Sequence, residues 1–312
     1  MIQFTKYNIF NTIIRIFIGV AALIFVFYHL KDNFNEGNVK PHLSSNAIPL
    51  LVFSFLLSFL NWGIEALKWK YLIREVTSIS FFRALGLIFT GITVGILTPN
   101  RVAEIPVRAY LLNERESRNT LIFLSFIGSV FQMIVTYIVG IIGLIFIFDE
   151  RFYSTKHVVI ILLGAIVLMT IFIVLYFKHL KINLLKKYNI NNPLKFVQQK
   201  WLGASLYSLF RYFIFAIQLW IILKAFEIHI NQINFIWLIP IFFLISSSIP
   251  TILLSEIGVR SSVGIFVFGT ISENDINILA ATIVLWIINI ALPAFLGLYG
   301  LKEIKLFKNS IT

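Results

Sequence analysis

The stretch ILTPNRVAEIPVR, residues 96–108, breaks an apolar run with two prolines, two arginines and a glutamate, and its core returns as EIGVR at residues 256–260. Pro99 precedes the first pentamer and Pro250 the second. A proline removes a backbone donor and pushes the residue before it out of the helical region, so a helix is expected to stop at each. A second helix is expected to restart at Ala103 and at Ser255, the latter with a hydroxyl suited to capping. Glu104 and Glu256 then fall in first turns, where the helix dipole favours an acid. Glu104 with Arg108, and Glu256 with Arg260, share a helix face in the favourable order. Pro99, Pro106, Pro250 and Gly258 are grouped as helix-break positions, Pro106 and Gly258 at the same early place in the restarted helices, where a missing or unused N–H costs little.

The surroundings of the two pentamers define the solvent. Hydrophobic residues make up 59% of the 312 and charged residues 13%, with 32 phenylalanines. Several apolar runs approach the roughly 20 residues that a helix needs to cross a bilayer core. The composition therefore predicts an all-α polytopic membrane protein. The net charge of +12 is carried in short segments between apolar runs, which fits cytoplasmic loops beside anionic lipid and not nucleic acid. No cysteine is present, excluding disulfides and thiolate ligands. The five histidines, His29, His42, His157, His179 and His229, form no HExxH pair, and no phosphate loop occurs. No metal, cofactor or catalytic residue is assigned, and the chain is not expected to be an enzyme.

Six runs read as full spans, at residues 9–30, 47–69, 120–148, 157–177, 201–226 and 278–301. Stretches 79–112 and 233–270 are apolar but broken in the middle, and they hold the pentamers. Lysine and arginine in short loops mark the cytoplasmic side. Lys178, Lys181, Lys186, Lys187, Lys195 and Lys200 place segment 178–200 there, and Lys68, Lys70, Arg74, Arg83, Arg115 and Arg118 place both flanks of the first broken stretch there. Both flanks of the second then face out. Each stretch is expected to be a re-entrant hairpin, which the membrane tolerates only where protein or a wet cavity surrounds the open backbone. The result is an inverted repeat of two spans, a hairpin and one span, over residues 1–156 and 157–312, together one transmembrane domain. Corresponding features at Ile9 and His157, Ala47 and Trp201, and Glu104 and Glu256 are offset by 148, 154 and 152 residues.

A charge within hydrocarbon costs at least about 2.5 kcal/mol, so it persists there when paired or facing a polar cavity. Half-helix N-termini near the midplane bind anions, and arginine adds a fork suited to phosphate oxygens. Glu104 and Arg108 are expected opposite Glu256 and Arg260 across a shared cavity. Arg211, in the middle of a span, is expected to face that cavity and pair with Glu65, Glu104 or Glu256. Glu65 also reads as an interfacial, solvated residue. Gly86, Gly91, Gly95 and Ser246, Ser247 and Ser248 read as close-packing positions.

TPNRVAEIPVRAYLL, the upstream ALKWKYLI, and SIPTILLSEIGVRSSVGIFVFG resemble the signature regions of the lysylphosphatidylglycerol synthase transmembrane-region family of flippase-like proteins. A family motif similar to Pro-Gly-Arg-x-Gly-Glu falls on Pro99, Arg101 and Glu104, with Asn100 and Ala103 in place of glycines. A second, a proline followed by Gly-Gly-x-Gly-x-Arg-Glu, falls on Pro250, Gly258 and Arg260, with Ser255, Glu256 and Ser261 as departures. The resemblance implies lipid translocation and not lipid synthesis, because the aminoacyl-transferase domain of full-length members does not follow before Thr312. The leading expectation is a flippase-like protein of the inner membrane with both termini cytoplasmic. Arg101, Glu104, Arg108, Glu256, Arg260 and Arg211 would bind the headgroup of an anionic or zwitterionic phospholipid or an isoprenoid phosphate. The alternatives are a noncatalytic partner of an envelope glycosyltransferase and an intramembrane lipid transferase.

Overall fold

The computed structural model describes residues 24, 26–28, 40–98, 101–112, 117–145, 193–251 and 254–301, and every regular element among them is helical. The helices α1 (Ala47–Ile73), α4 (Arg118–Ile145) and α5 (Pro193–Ala225) run through long apolar sequence. The final span is composite: α8 (Asp275–Trp286), a π-helical turn (Ile287–Ala291), α9 (Leu292–Gly297) and a closing 3-10 turn (Leu298–Gly300). Four helical segments, Ala47–Ile73, Arg118–Leu144, Gln199–Ala225 and Asp275–Gly300, are long and apolar enough to cross a membrane. They match the spans expected at 47–69, 120–148, 201–226 and 278–301. Those expected at 157–177 and, almost entirely, at 9–30 lie outside the described residues, as do the tail beyond residue 301 and most of the basic segment 178–200.

Each broken stretch forms two shorter helices. The first gives α2 (Phe81–Gly95) and α3 (Glu104–Leu111), which pack against each other; the second gives α6 (Gln232–Ser248) and α7 (Leu254–Phe268). The Ser80 hydroxyl caps α2 by accepting the Arg83 N–H at 3.2 Å, and the Asn231 amide oxygen caps α6 by accepting the Asn234 N–H at 2.8 Å. Ile249 is extended, as a residue before proline should be, and Pro250 lies in the break. Pro99 lies outside the described residues. Pro106 and Gly258 do not break a helix: they are the third residue of α3 and the fifth of α7. Pro106 is tolerated because the first-turn N–H groups have no intrahelical acceptor anyway. Ser255 is likewise not a cap, since α7 already starts at Leu254. Pro240 sits inside α6, where its ring packs over Gly143 of α4.

Side-chain ties define the two ends of the bundle. At one end Asn277 of α8 accepts the His42 N–H at 2.8 Å and donates to the Phe226 carbonyl at 2.7 Å, while the Ser44 N–H donates to the Ala225 carbonyl. These bonds join the start of α1, the end of α5 and the start of α8. At the other end the Lys200 ammonium, 2% exposed, donates to the last-turn carbonyls of Tyr71 and Leu72 in α1 and pairs with Glu75 at 3.0 Å. A lysine there complements the negative end of the helix dipole. Lys200 is therefore a buried helix clasp and not a loop charge. Since α2 follows the end of α1, and α6 the end of α5, after short connections, the hairpins start from opposite ends of the bundle.

The interior holds two apolar clusters. One gathers Trp62, Trp69, Ile88, Ile92 and Leu121 from α1, α2 and α4, with Ala109 and Leu111 of α3; the other gathers Leu219, Phe242, Val263, Phe268 and Leu285 from α5 to α8. Large apolar side chains such as Ile48, Leu56, Phe210 and Phe295 remain exposed on the outside, where lipid and not water is the compatible solvent.

Candidate functional site

Thr98 ties the end of α2 to the approach to α3. The Thr98 hydroxyl donates to the Gly95 carbonyl at 2.8 Å and accepts the Ala103 N–H at 3.2 Å, and the Thr98 carbonyl accepts the Arg101 N–H at 3.0 Å. Arg101 pays a conformational cost, since its φ of 54° is left-handed, which disfavours a side chain by roughly 1–2 kcal/mol. That conformation helps carry its guanidinium away from its own hairpin to the other. Gly91 and Gly95 let α3 lie directly on α2: a Cβ at Gly91 would come within 2.9 Å of the Glu104 carbonyl oxygen, and one at Gly95 within 3.1 Å of the Glu104 Cβ. Gly86 meets nothing within 4 Å and has no such role. The hydroxyls of Ser246, Ser247 and Ser248 all donate back to carbonyls of α6.

Three helices, α1 itself, α3 and α5, bring cations to Glu65 on α1, which is only 6% exposed. Lys68 lies 2.7 Å from its carboxylate, Arg211 of α5 lies 3.1 Å away and Arg108 of α3 lies 3.6 Å away. Arg108 also pairs with Glu104 on its own helix. The Arg211 Nε donates to the Asn61 amide oxygen at 2.7 Å, and its guanidinium lies 4.8 Å from the Trp62 ring. On α7, Glu256 accepts two bonds from Arg260, at 2.9 and 3.2 Å. Arg101 reaches the same Glu256 oxygen at 3.5 Å and so links the two breaks. The indole of Trp286 also faces Glu256, although its N–H lies outside hydrogen-bonding geometry.

All six expected site residues thus fall in two adjoining sets of ion pairs, one centred on Glu65 and one on Glu256, whose members Arg101 and Glu104 both lie beside Gly95; Arg108 and Glu256 are buried, and Arg101, Glu104, Arg211 and Arg260 are half-buried. Arg211 meets Glu65, one of the three partners expected for it. Glu65 is not solvated at an interface: α1 continues to Ile73, which places it and Lys68 inside the bundle. Lys68, 1% exposed, is accordingly a buried side chain and not an exposed flank charge. Lys68 reads from sequence only as a flank charge, and neither it nor Asn61 nor Trp62 was expected at the site. The spacing of Asn61, Glu65 and Lys68, four and then three residues, was the available signal, because it stacks them on one helix face. A second polar chain runs nearby through Gln218, which donates to the Ser54 carbonyl and accepts from Asn289 of the π turn, each at 2.9 Å. A cavity of about 200 Å³ beside Arg83, Gly86, Thr90, Leu111 and Tyr299 shares none of the clustered charges.

Among the described residues no group of three or more histidines or carboxylates could hold a metal ion. In chemical terms the cluster is a fork-rich cationic site, able to bind oxyanions through charge-assisted hydrogen bonds.

Sequence comparison places this geometry in a family. A UPF0104 membrane protein of Methanothermobacter thermautotrophicus is 30% identical over 107 residues, which are 34% of this chain and 30% of that relative. The chain thus matches less than a third of that relative's length. No solved structure matches. Residues 12–297, nearly the whole chain, match the family described as Lysylphosphatidylglycerol synthase TM region, and the chain, a multi-pass helical membrane protein, belongs to that family.

Proposed function

We propose that this protein is flippase-like: it binds the phosphate of a lipid headgroup where its two helix breaks meet and passes that lipid between leaflets. The observation that carries the proposal is the buried to half-buried cluster of charges in which Arg101 of the first break reaches Glu256 beside the second. In hydrocarbon each charge costs at least about 2.5 kcal/mol, so eight clustered charges are more than packing calls for. Arg101, Arg108, Arg260 and Arg211 would fork onto phosphate oxygens, while Glu104 and Glu256 orient them or meet an amino headgroup. The acyl or isoprenoid tails would stay in the surrounding lipid.

The architecture proposed with this role is an inverted repeat, residues 1–156 and 157–312, each with two spans, a hairpin and one span. Hairpins starting from opposite ends support it, because alternating access follows when two inverted halves rock about a shared midplane site. The protein would sit in the cytoplasmic membrane with both termini inside, and would move or hold lipid without transforming it.

Two measurements test this reading. Full-length protein is reconstituted in vesicles containing headgroup-labelled envelope lipids, and protection of the label from an impermeant quencher is followed. Equal protection in protein and empty vesicles for every lipid overturns transport; copurification with a glycosyltransferase in that case would favour a noncatalytic partner. Separately, single cysteines replace Ser78 and Ser272 in this cysteine-free chain. An impermeant thiol reagent outside the cell should label only Ser272→Cys, and equal labelling removes the opposed hairpins.

A further inference from the structure

We infer that the preferred ligand of this site is a phosphate monoester, a dianion, and not the monoanionic diester of ordinary phospholipids. The inference rests on the proposed headgroup site and assigns its charge class. Among the described residues Lys68, Arg101, Arg108, Arg211 and Arg260 pair with Glu65, Glu104 and Glu256, so these two adjoining sets of ion pairs carry two more cations than carboxylates. Glu65 is shared by three cations and Glu256 by two, which leaves each pairing incomplete. A low-dielectric interior disfavours uncompensated charge, and the surplus is balanced by an anion of matching valence. A phosphate monoester carries about −1.5 to −2 at neutral pH, whereas a diester carries one charge and a zwitterionic headgroup none.

Hydrogen-bond direction points the same way. An arginine can only donate, so the Asn61 atom facing Arg211 Nε must be the amide oxygen, which leaves the Asn61 Nδ2 group as a donor. Among the described residues that group is buried without a hydrogen-bond partner, as is the Trp62 indole N–H on the next residue. Both residues are at most 4% exposed, and both contact Arg211. Two buried donors lacking acceptors, beside surplus cations, suit a ligand rich in acceptor oxygens. The unpartnered Arg108 Nε adds nothing here, because it packs against Gly91.

The test uses full-length protein in phosphatidylcholine nanodiscs with farnesyl monophosphate as the probe, and with its methyl ester, which has the same chain and one charge fewer. The monophosphate should bind about tenfold more tightly, on the scale of one charge-assisted contact. Arg101→Gln should bring that ratio close to one by lowering the surplus to a single charge. Glu104→Gln should increase it, a gain that misfolding cannot imitate. Equal affinities for the two probes, or a ratio unmoved by both substitutions, would overturn the inference. Displacement of the probe by equimolar inorganic phosphate would support the charge assignment and make the source a soluble phosphate; no displacement assigns it to lipid. Translocation of diester lipids in vesicles despite equal probe binding would leave the transport reading standing and remove only this one.

Discussion

The two pentamers carry the same charged pair in the same register, yet their surroundings differ. In the first, Arg108 is 4% exposed and is shared between Glu104 on its own helix and Glu65 on α1. In the second, Glu256 is the buried member at 7%, while the Arg260 side chain is 20% exposed and, among the described residues, pairs with Glu256 alone. The first hairpin also sends Arg101 across to the second. Repeating a pair within a helix therefore repeats only the local bond. Which partner becomes buried, and which stays open, depends on the helix that each hairpin packs against. The first lies against a span bearing Glu65 and Lys68. The second lies against the final span, whose contacts to α7 include the Ser261–Thr282 hydroxyl pair at 3.1 Å.

That difference orders the consequences of mutation. Glu65→Gln should be the most damaging, because it removes the carboxylate shared by Lys68 and Arg211 and leaves Arg108 with Glu104 alone. Removing one partner of a buried ion group costs about 3–5 kcal/mol, so the purified variant should lose most of its thermal resistance in detergent. A wild-type melting profile would show that Glu65 is not the hub. Glu256→Gln strands only Arg101 and Arg260, both partly open, and should cost about 2–3 kcal/mol in the same melting assay. A larger loss than for Glu65→Gln would reverse the ranking of the two breaks.

Packing gives the smaller effects. Gly91→Ala places a methyl against the α3 backbone and should cost about 1–2 kcal/mol, seen as a lower midpoint of thermal unfolding. Gly86→Ala, inside α2 with open space around it, should instead stabilise by about 0.5–1 kcal/mol and raise the midpoint in the same measurement. Equal effects at the two positions would mean that the α2–α3 approach is not as tight as the geometry indicates.

Much of the fold was legible because its signals are local. Apolar runs of span length marked, within a few residues of their ends, the four helical segments long and apolar enough to cross a membrane, and the prolines fall between the two helices of each broken stretch. The departures came where a charge was read by its position near a run's end. Lys68 and Lys200 looked like cytoplasmic flank residues, but α1 runs on to Ile73 and both lysines turn inward to specific acceptors. Linear sequence shows that a lysine lies near a membrane boundary; it does not show which way the helix presents it.

The sequence by itself determined a helical, multi-pass membrane protein, since hydropathy and proline act over one or two turns whatever the distant contacts. It also determined the repeated glutamate–arginine pairs, because four-residue spacing places both on one helix face. Only the tertiary structure decided that Arg101 reaches Glu256 and that Arg108 and Arg211 converge on Glu65. Those pairs join residues 155, 43 and 146 positions apart. Their approach depends on helix packing and on the left-handed turn at Arg101, neither of which is encoded in the spacing of the residues themselves.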